Sequence, residues 1–422
     1  MSLIAAKVPP EIVLQPNIVL IMADDVGCEP IGAYGGERWK TPHIDALAKG
    51  GMRFDYCFSM PVCHPTRICL MTGKYPFRLK SGWGSFPKVE EKKTVAQVLK
   101  KAGYATAIAG KWQLCLMKKD IEQPARMGFD QWSVFGWHEG ARFHEPMIYE
   151  DGRLRTDTKA KYGPNLYVDF LGRFMEKSSE AKKPFFAYYS MALAHDVTDD
   201  IPKQVPYVPG KDRWMNYGEM VESMDDMIGK LVSKIDQLGL RKNTIILFTG
   251  DNGTATSVTG VMNGRTIKGG KGSMPDSGNH VPFIARWSGT IKAGRTTRAI
   301  VNFSDILPTV AEIAGTKVEH KIDGVSFLGH LKGGKPAREV SYCWYARNGG
   351  TKGKEFARTA DWKLYPNGKF YNVYKDVLEK NPVSPGKLNS KTRVIRAQLQ
   401  KELDRMKGTR TKFDLSKYKK KK

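Results

Sequence analysis

The sequence predicts an α/β protein with a large, mostly parallel sheet flanked by helices, followed by a small antiparallel sheet with a helix. Three observations carry this. Short segments such as Asn17–Ala23 and Thr244–Phe248 are apolar throughout, with no polar alternation, as strands covered on both faces are. Such segments alternate with helical periodicity up to about residue 315, which places helices on both faces of one sheet. After about residue 320 the pattern changes to short strands joined by tight turns. The expected division is an α/β domain over residues 1–320 and a smaller α+β subdomain with a basic tail over 321–422.

Taken in order, Asn17–Ala23 is a strand ending at Asp24-Asp25. Thr41–Met52 reads as a helix with Ile44, Leu47 and Ala48 inward. Cys63–Thr72 is a helix with Pro65 in its first turn, where a missing N–H costs nothing. Thr94–Ala102 is a helix stopped by Gly103, and Tyr104–Ala109 is a strand leading to Gly110-Lys111-Trp112-Gln113. Residues 120–165 are loop-rich. Leu166–Lys177 is a helix, and Pro184–Ser190 a strand leading to His195. Tyr217–Leu238 is a long amphipathic helix. Thr244–Phe248 is a strand leading to Gly250-Asp251-Asn252-Gly253. Val281–Trp287 and Ala299–Val301 are strands, and a helix runs from Ser304 to Ala314. Beyond it, Val340–Tyr345, Phe356–Thr359, Trp362–Tyr365 and Phe370–Val373 are short strands. Residues 391–406 form a helix with Ile395, Leu399, Leu403 and Met406 on one face, and Lys417–Lys422 is a disordered tail.

The 422 residues are 41% hydrophobic, enough for a sizeable core. No apolar run approaches a membrane span. No leader is visible at the N-terminus. Six cysteines, at 28, 57, 63, 69, 115 and 343, are too few and scattered for a disulfide framework, and no Cys-x-x-Cys zinc spacing occurs. The net charge is +25. It fits a solvated surface or attraction to polyanions, and charge alone does not choose between them. Specific nucleic-acid binding would rest on charge alone and is not expected.

The chemistry gathers at strand ends. In open α/β sheets, ligands bind beyond the carboxyl ends of the strands. Asp24-Asp25, Lys111, His195 and Asp251-Asn252 each follow a different strand. Either acidic pair alone is an ordinary turn former, so the conjunction is the informative feature. Oxygen ligands select a hard cation, Ca2+ or Mg2+, over zinc. Cys63 stands at a helix start, where free N–H groups and the dipole favour a thiolate or an anion. A lone cysteine in such a place is ordinarily a small core residue. Arg67, one turn on, offers an oxyanion a fixed fork of donors.

The run Cys63-His64-Pro65-Thr66-Arg67, followed by Leu70-Met71-Thr72-Gly73-Lys74-Tyr75-Pro76, resembles the signature of the type I sulfatases of the alkaline phosphatase superfamily. Thr66 stands where the family usually has Ser. Further blocks resemble the family over roughly residues 16–315. They are Pro16–Gly27, Gly103–Trp112, Val221–Leu231, Phe248–Gly253 and Gly269-Gly270-Lys271-Gly272, with a weaker echo at Thr359–Leu364.

The resemblance implies an alkaline-phosphatase-like fold and a sulfuric ester hydrolase. Its substrate would be a sulfated small molecule or carbohydrate, with aryl sulfates as artificial substrates. It implies that Cys63 is converted to Cα-formylglycine by a formylglycine-generating or anaerobic maturation enzyme. Asp24, Asp25, Asp251, Asn252 and the modified Cys63 would bind one Ca2+, with Mg2+ as the other candidate ion. Arg67 would stabilise formylglycine and the bound anion, while Lys111, His195 and Lys271 would contact the sulfate or the leaving oxygen. Gln113, His138, Arg142, His144 and His280 are candidates to line the substrate pocket, with loops 128–165 and 196–215 deciding specificity. A periplasmic or secreted location would follow.

Three departures from the family pattern bear on activity. Gln113 replaces a usual His and cannot shuttle a proton at neutral pH. Pro275-Asp276-Ser277-Gly278-Asn279-His280 replaces Tyr-Glu-Gly-Gly-x-Arg, and Val197 replaces Pro. Two alternatives follow. One is a phosphoester or phosphonate hydrolase of the same superfamily using Asp276 and His280 as extra metal ligands. The other is a catalytically silent protein that binds sulfated glycans.

Overall fold

The structure, a computed structural model, describes residues 15–79, 82, 84–136, 139–195, 217–346 and 353–410. His138, Val197, the loop 196–215 and the tail Lys417–Lys422 lie outside the described residues.

The chain builds β1 (Asn17–Ala23), α1 (Pro42–Lys49), β2 (Met52–Phe58), α2 (Cys63–Thr72), α3 (Val95–Lys101), β3 (Ala105–Lys111), α4 (Gln123–Arg126) and β4 (Gln131–Phe135). It continues with β5 (Tyr149–Glu150), β6 (Arg153–Leu154), α5 (Gly163–Glu180), β7 (Phe185–Ser190), α6 (Tyr217–Gln237) and β8 (Thr244–Gly250). Next come β9 (Thr259–Met262), β10 (Arg265–Lys268), α7 (Asp276–Asn279), β11 (His280–Trp287), β12 (Arg295–Asn302), α8 (Ile306–Ile313) and α9 (Leu328–Leu331). The last part is β13 (Ser341–Tyr345), β14 (Lys354–Arg358), β15 (Trp362–Leu364), β16 (Phe370–Asn372) and α10 (Ser390–Gly408).

Ten strands form one sheet in the order β12-β2-β11-β8-β1-β7-β3-β4-β5-β6. Its centre, β8-β1-β7-β3-β4, is parallel, while β11 runs antiparallel to both β8 and β2. Each face is covered. Ile18, Leu20 and Met22 of β1 pack toward α2, α3 and α8, whereas Val19, Ile21 and Ala23 pack toward α1, α5 and α6. That two-sided burial is why β1 reads as uninterrupted apolar sequence. β13 to β16 form a separate four-stranded antiparallel sheet, against which α10 lays Leu399, Leu403 and Met406.

Three expectations need correction. The helix expected over Thr41–Met52 ends at Lys49, where Gly50 and Gly51 break it, and Met52 opens β2. β2 hid because its half-exposed Arg53 and Asp55 alternate with buried Met52 and Phe54, a pattern too short to stand out. The stretch 120–165 also holds β4 and the β5–β6 hairpin, and β9–β10 form another hairpin after residue 258.

Candidate active site

Strand register assembles the site. Ala23 of β1 pairs with Gly250 of β8, so Asp24-Asp25 and Asp251-Asn252 leave the sheet side by side. Met22 pairs with Ser190 of β7, and Ser190 with Gly110 of β3, which brings Ser190 and Lys111 to the same level. The loops are knit by backbone groups. Asp24 N donates to the Leu193 carbonyl at 2.8 Å and Asp251 N to the Ala23 carbonyl at 2.9 Å. Asp25 N donates to Asp251 Oδ1 at 3.1 Å.

Cys63 is the first residue of α2, and it is buried against this cluster. Arg67 follows one turn later. Its Nη2 lies 2.8 Å from Asp251 Oδ2 and 4.0 Å from Asp24 Oδ1. Its Nη1 donates to Ser190 Oγ and, at 3.4 Å, to the Lys111 carbonyl, which Ser190 Oγ also reaches at 2.7 Å. Lys111 Nζ lies 2.6 Å from Asp24 Oδ2. Lys271 Nζ lies 2.5 Å from Asp25 Oδ2 and 3.1 Å from His195 Nε2. Asn252 Nδ2 donates to Asp25 Oδ1 and to the Gly253 carbonyl, both at 2.8 Å. The Lys271 side chain is 23% exposed while its partner Asp25 is 1% exposed, so Lys271 marks the mouth of the cluster.

Three carboxylates, on Asp24, Asp25 and Asp251, thus face three cations, on Arg67, Lys111 and Lys271. Burial works against the Asp24 carboxylate, but its cationic neighbours, Lys111 first and Arg67 with it, hold its pKa below the usual value. Asp251 is pushed up to about 7 by burial and then by Asp24, with Arg67 opposing. Burial, then the charge of Lys271, holds His195 well below the usual histidine value, so it is neutral. Lys271 stays protonated because Asp25 outweighs the effect of burial.

The Cys63 thiol is pushed up by burial, which Lys111 and Lys271 only partly offset. The thiolate expected from the helix start is therefore not the resting state: desolvation exceeds the helix field here.

The residues fit a hard cation. Asp24 Oδ1 and Asn252 Oδ1 are buried with no hydrogen-bond partner among the described residues. Asp24, Cys63 and Asp251 offer ligand atoms within 4.8 Å of one another, as do Asp24, Asp25 and His195. A donor set dominated by carboxylate and amide oxygen suits Ca2+ or Mg2+.

A family model described as Sulfatase matches residues 16–316, which is most of the chain and includes every residue of this cluster. The chain belongs to the type I sulfatase family, in the alkaline phosphatase superfamily. A second family model, described as N-sulphoglucosamine sulphohydrolase, C-terminal, matches residues 270–409. Among curated relatives, N-acetylgalactosamine-6-sulfatase of Rattus norvegicus is 30% identical over 369 residues, covering 78% of this chain and 67% of the relative. Arylsulfatase A of Bos taurus is 30% identical over 386 residues, covering 83% and 74%. The chain spans from 66% to 74% of the length of the first such relatives. Among solved structures, that of Ps i-CgsB superposes with a TM-score of 0.77 at 26% identity and 94% coverage of both chains. Phosphonate monoester hydrolase of Agrobacterium radiobacter shares the fold, with a TM-score of 0.68 at 19% identity. No helix among the described residues of this sulfatase is long and apolar enough to cross a membrane.

The remaining candidates divide. Gln113, two residues past Lys111, is fully buried with φ +54°, and both amide atoms of its side chain have no hydrogen-bond partner among the described residues. Arg142 is fully buried, its guanidinium 5.8 Å from the ring centroids of both Phe135 and Phe143. His144 is half-buried and makes an isolated bridge to Tyr162. His280 is drawn elsewhere: its Nε2 bonds the Asp55 carbonyl at 2.7 Å, and its ring lies against Tyr56 and Phe58. Ser190 was not anticipated, although its place at the carboxyl end of β7 was the available signal.

Proposed function

We propose that the protein hydrolyses a sulfate ester, most fittingly one carried by a carbohydrate, with Cys63 acting after conversion to formylglycine and with one bound Ca2+. The observation that carries the reading is the joint placement of Cys63, Arg67, Lys111, Lys271 and both acidic pairs in one buried cluster beyond the sheet. Ca2+, held by Asp24, Asp25, Asp251 and Asn252, would supply charge for activating the nucleophile and binding sulfate oxygen. It would also turn a balanced pocket net positive, as an anionic ester requires.

In this reading Arg67, fixed by Asp251 and Ser190 one turn past Cys63, would offer its remaining donors to the sulfonate oxygens. Lys111 and Lys271 offset charge on those oxygens. Lys271 is protonated and neutral His195 is its hydrogen-bonded neighbour, so this pair delivers a proton to the leaving oxygen at the pocket mouth. The raised thiol of unmodified Cys63 supports a modified nucleophile, since a buried neutral thiol is a poor one. Gln113 contributes hydrogen bonds to the bound ester without exchanging protons. The basic chain fits an anionic glycan, and relatives named for N-acetylgalactosamine-6-sulfate and ulvan support that class. A location outside the cytoplasm is part of the same proposal.

The phosphoester alternative loses its extra ligands. Asp276 is committed to Arg358 and Lys363, and His280 to the Asp55 carbonyl. The test is hydrolysis of an aryl sulfate and of glycan sulfates by protein co-expressed with a formylglycine-generating enzyme, beside Cys63→Ala and an aryl phosphate. Sulfate turnover that the variant abolishes supports the reading. Turnover of phosphate alone, or binding of glycan with no turnover despite an aldehyde at 63, refutes it.

A further inference from the structure

We propose that the C-terminal sheet positions the active-site residue Lys271, through two buried cations, Arg358 and Lys363, that grip the segment 269–279. This rests on the proposal that Lys271 acts on the bound sulfate.

The segment touches two parts of the site and folds on itself. Lys271 N donates to the Thr254 carbonyl at 3.0 Å and Gly253 N to the Gly278 carbonyl at 3.0 Å, tying it to the Asp251-Asn252 loop. Gly272 N donates to the Pro61 carbonyl at 2.7 Å and Ser59 N to the Asn279 carbonyl at 2.9 Å, tying it to the residues before Cys63. Asn279, fully buried, folds the segment on itself by donating to the Met274 and Pro275 carbonyls at 2.8 and 2.9 Å.

The grip comes from β14 and β15. Arg358 and Lys363 sit directly opposite each other in register, and both side chains are 0% exposed. Two like charges facing across a strand pair repel, and burial makes each costly unless paired. Asp276 offsets both: it bonds Arg358 Nη1 and lies 3.4 Å from Lys363 Nζ. Lys363 Nζ also donates to the Met274 carbonyl at 2.6 Å and pairs with Glu379 at 2.7 Å. The Arg358 guanidinium lies 3.9 Å over the Phe58 ring and donates to the Thr359 and Ala360 carbonyls. Among the described residues Asp276 is the carboxylate partner of Arg358 and one of the two partners of Lys363, so both cations favour one place for the segment, and the segment carrying Lys271 is held in that place by them. A sheet needing only stability would be served by apolar residues at 358 and 363. Charges there specify register, and the register specified is that of an active-site loop.

The experiment compares Lys363→Met and Asp276→Asn with Glu379→Gln in the full-length matured protein. Glu379 touches Lys363 and Tyr365 but not the segment, so its loss perturbs the same cluster without releasing the loop. For the first two variants, kcat on an aryl sulfate falls roughly 10- to 100-fold, the scale of a 1 Å misplacement. Amide exchange at Lys271, Gly272 and Gly253 rises on the order of tenfold. Glu379→Gln lowers Tm comparably but leaves kcat and these amides unchanged, and Lys363→Arg restores most of kcat. Equal Tm losses in all three, with kcat and exchange as in the wild type, overturn the proposal. Should Lys363→Met not fold, Asp276→Asn and Asp276→Glu carry the test: the first removes the charge and the second keeps it while shifting the contact, and unchanged exchange at Lys271 and Gly272 in both is again refuting. A wild type that turns over no sulfate ester sinks the functional reading instead. The exchange measurement then decides the positioning claim alone, and no rise at Lys271 and Gly272 overturns it.

Discussion

Replacing Asp251 by asparagine separates the cation site from the fold around it. The carboxylate is buried and accepts from Arg67 Nη2 at 2.8 Å and from Asp25 N at 3.1 Å. Burial and Asp24 push its pKa up to about 7, so without a cation its charge is poorly supported. An amide of the same shape keeps one acceptor, for Arg67, and turns its NH2 toward the Asp25 N–H, which loses its acceptor. The cost is that of weakening a charge-assisted hydrogen bond to a neutral one and leaving one buried donor unpaired, together about 2–5 kcal/mol. An unfolding entropy of about 2.1 cal/mol/K per residue, over the 422 residues, gives about 0.9 kcal/mol per degree. The variant should therefore melt about 2–6 °C below the wild type in chelator. Ca2+ at about 100 times its Kd adds about 2.7 kcal/mol to the wild type, or about 3 °C, because it binds the folded state alone. It should add nothing to Asp251→Asn. Thermal melts in chelator, in Ca2+ and in Mg2+ read both quantities without any substrate. A Ca2+ shift of wild-type size in the variant would remove Asp251 from the ligand set. A large loss of Tm in chelator would show that Asp251 is chiefly the structural partner of Arg67.

Other perturbations carry equally definite signs. Gln113→Met removes a buried amide that no described residue satisfies, so it should raise stability by about 1 kcal/mol while lowering kcat/KM on sulfate esters; melts and steady-state kinetics on one preparation decide it. Asp276 is held at about 2 because Arg358 and Lys363 outweigh burial, so its contribution is present above about pH 4 and lost as pH falls toward 2. That shift is worth about 2 kcal/mol, and Asp276→Asn should flatten this limb of a stability–pH curve measured by urea denaturation. Burial holds His64 at about 4, so the fold prefers it neutral and loses stability as pH falls from about 6.5 to 4. A His64→Gln variant that loses as much stability as the wild type over that interval would contradict this.

The sheet centre and both acidic pairs were legible because one physical rule generates them. A strand buried on both faces must be apolar, so polar residues appear where it ends, and parallel neighbours in register end at one level. Asp24, Lys111 and Asp251 follow from that rule alone. Ser190 obeys the same rule but carries no charge to draw attention. The grip of Arg358 and Lys363 on Asp276 was illegible because it joins positions more than 80 residues apart through two short strands. Nothing periodic in either stretch names the other. The spacing of Asp276 and His280 pointed instead to extra metal ligands, a reading that failed because local spacing says nothing about which partners reach a side chain first.

Cys63 shows how a local argument can place a residue and still misjudge its charge. A helix start lends a neighbouring thiol a partial positive field that falls off within one turn. Here Cys63 is itself the first helical residue, so that field is present. Yet the thiol is only 1% exposed, and Asp24 and Asp251 stand among its neighbours. Desolvation opposes an anion wherever it forms, and two carboxylates oppose it further, against which Lys111 and Lys271 compensate only in part. The environment therefore disfavours adding a negative charge at residue 63 until a cation neutralises the carboxylates. The same environment accepts a neutral group that becomes charged only as it reacts. An aldehyde hydrate is such a group and a thiolate is not. The electrostatics that make cysteine a poor nucleophile here would suit the formylglycine of the proposed function, and a cation held by the acidic pairs would supply the charge that offsets an anion at residue 63.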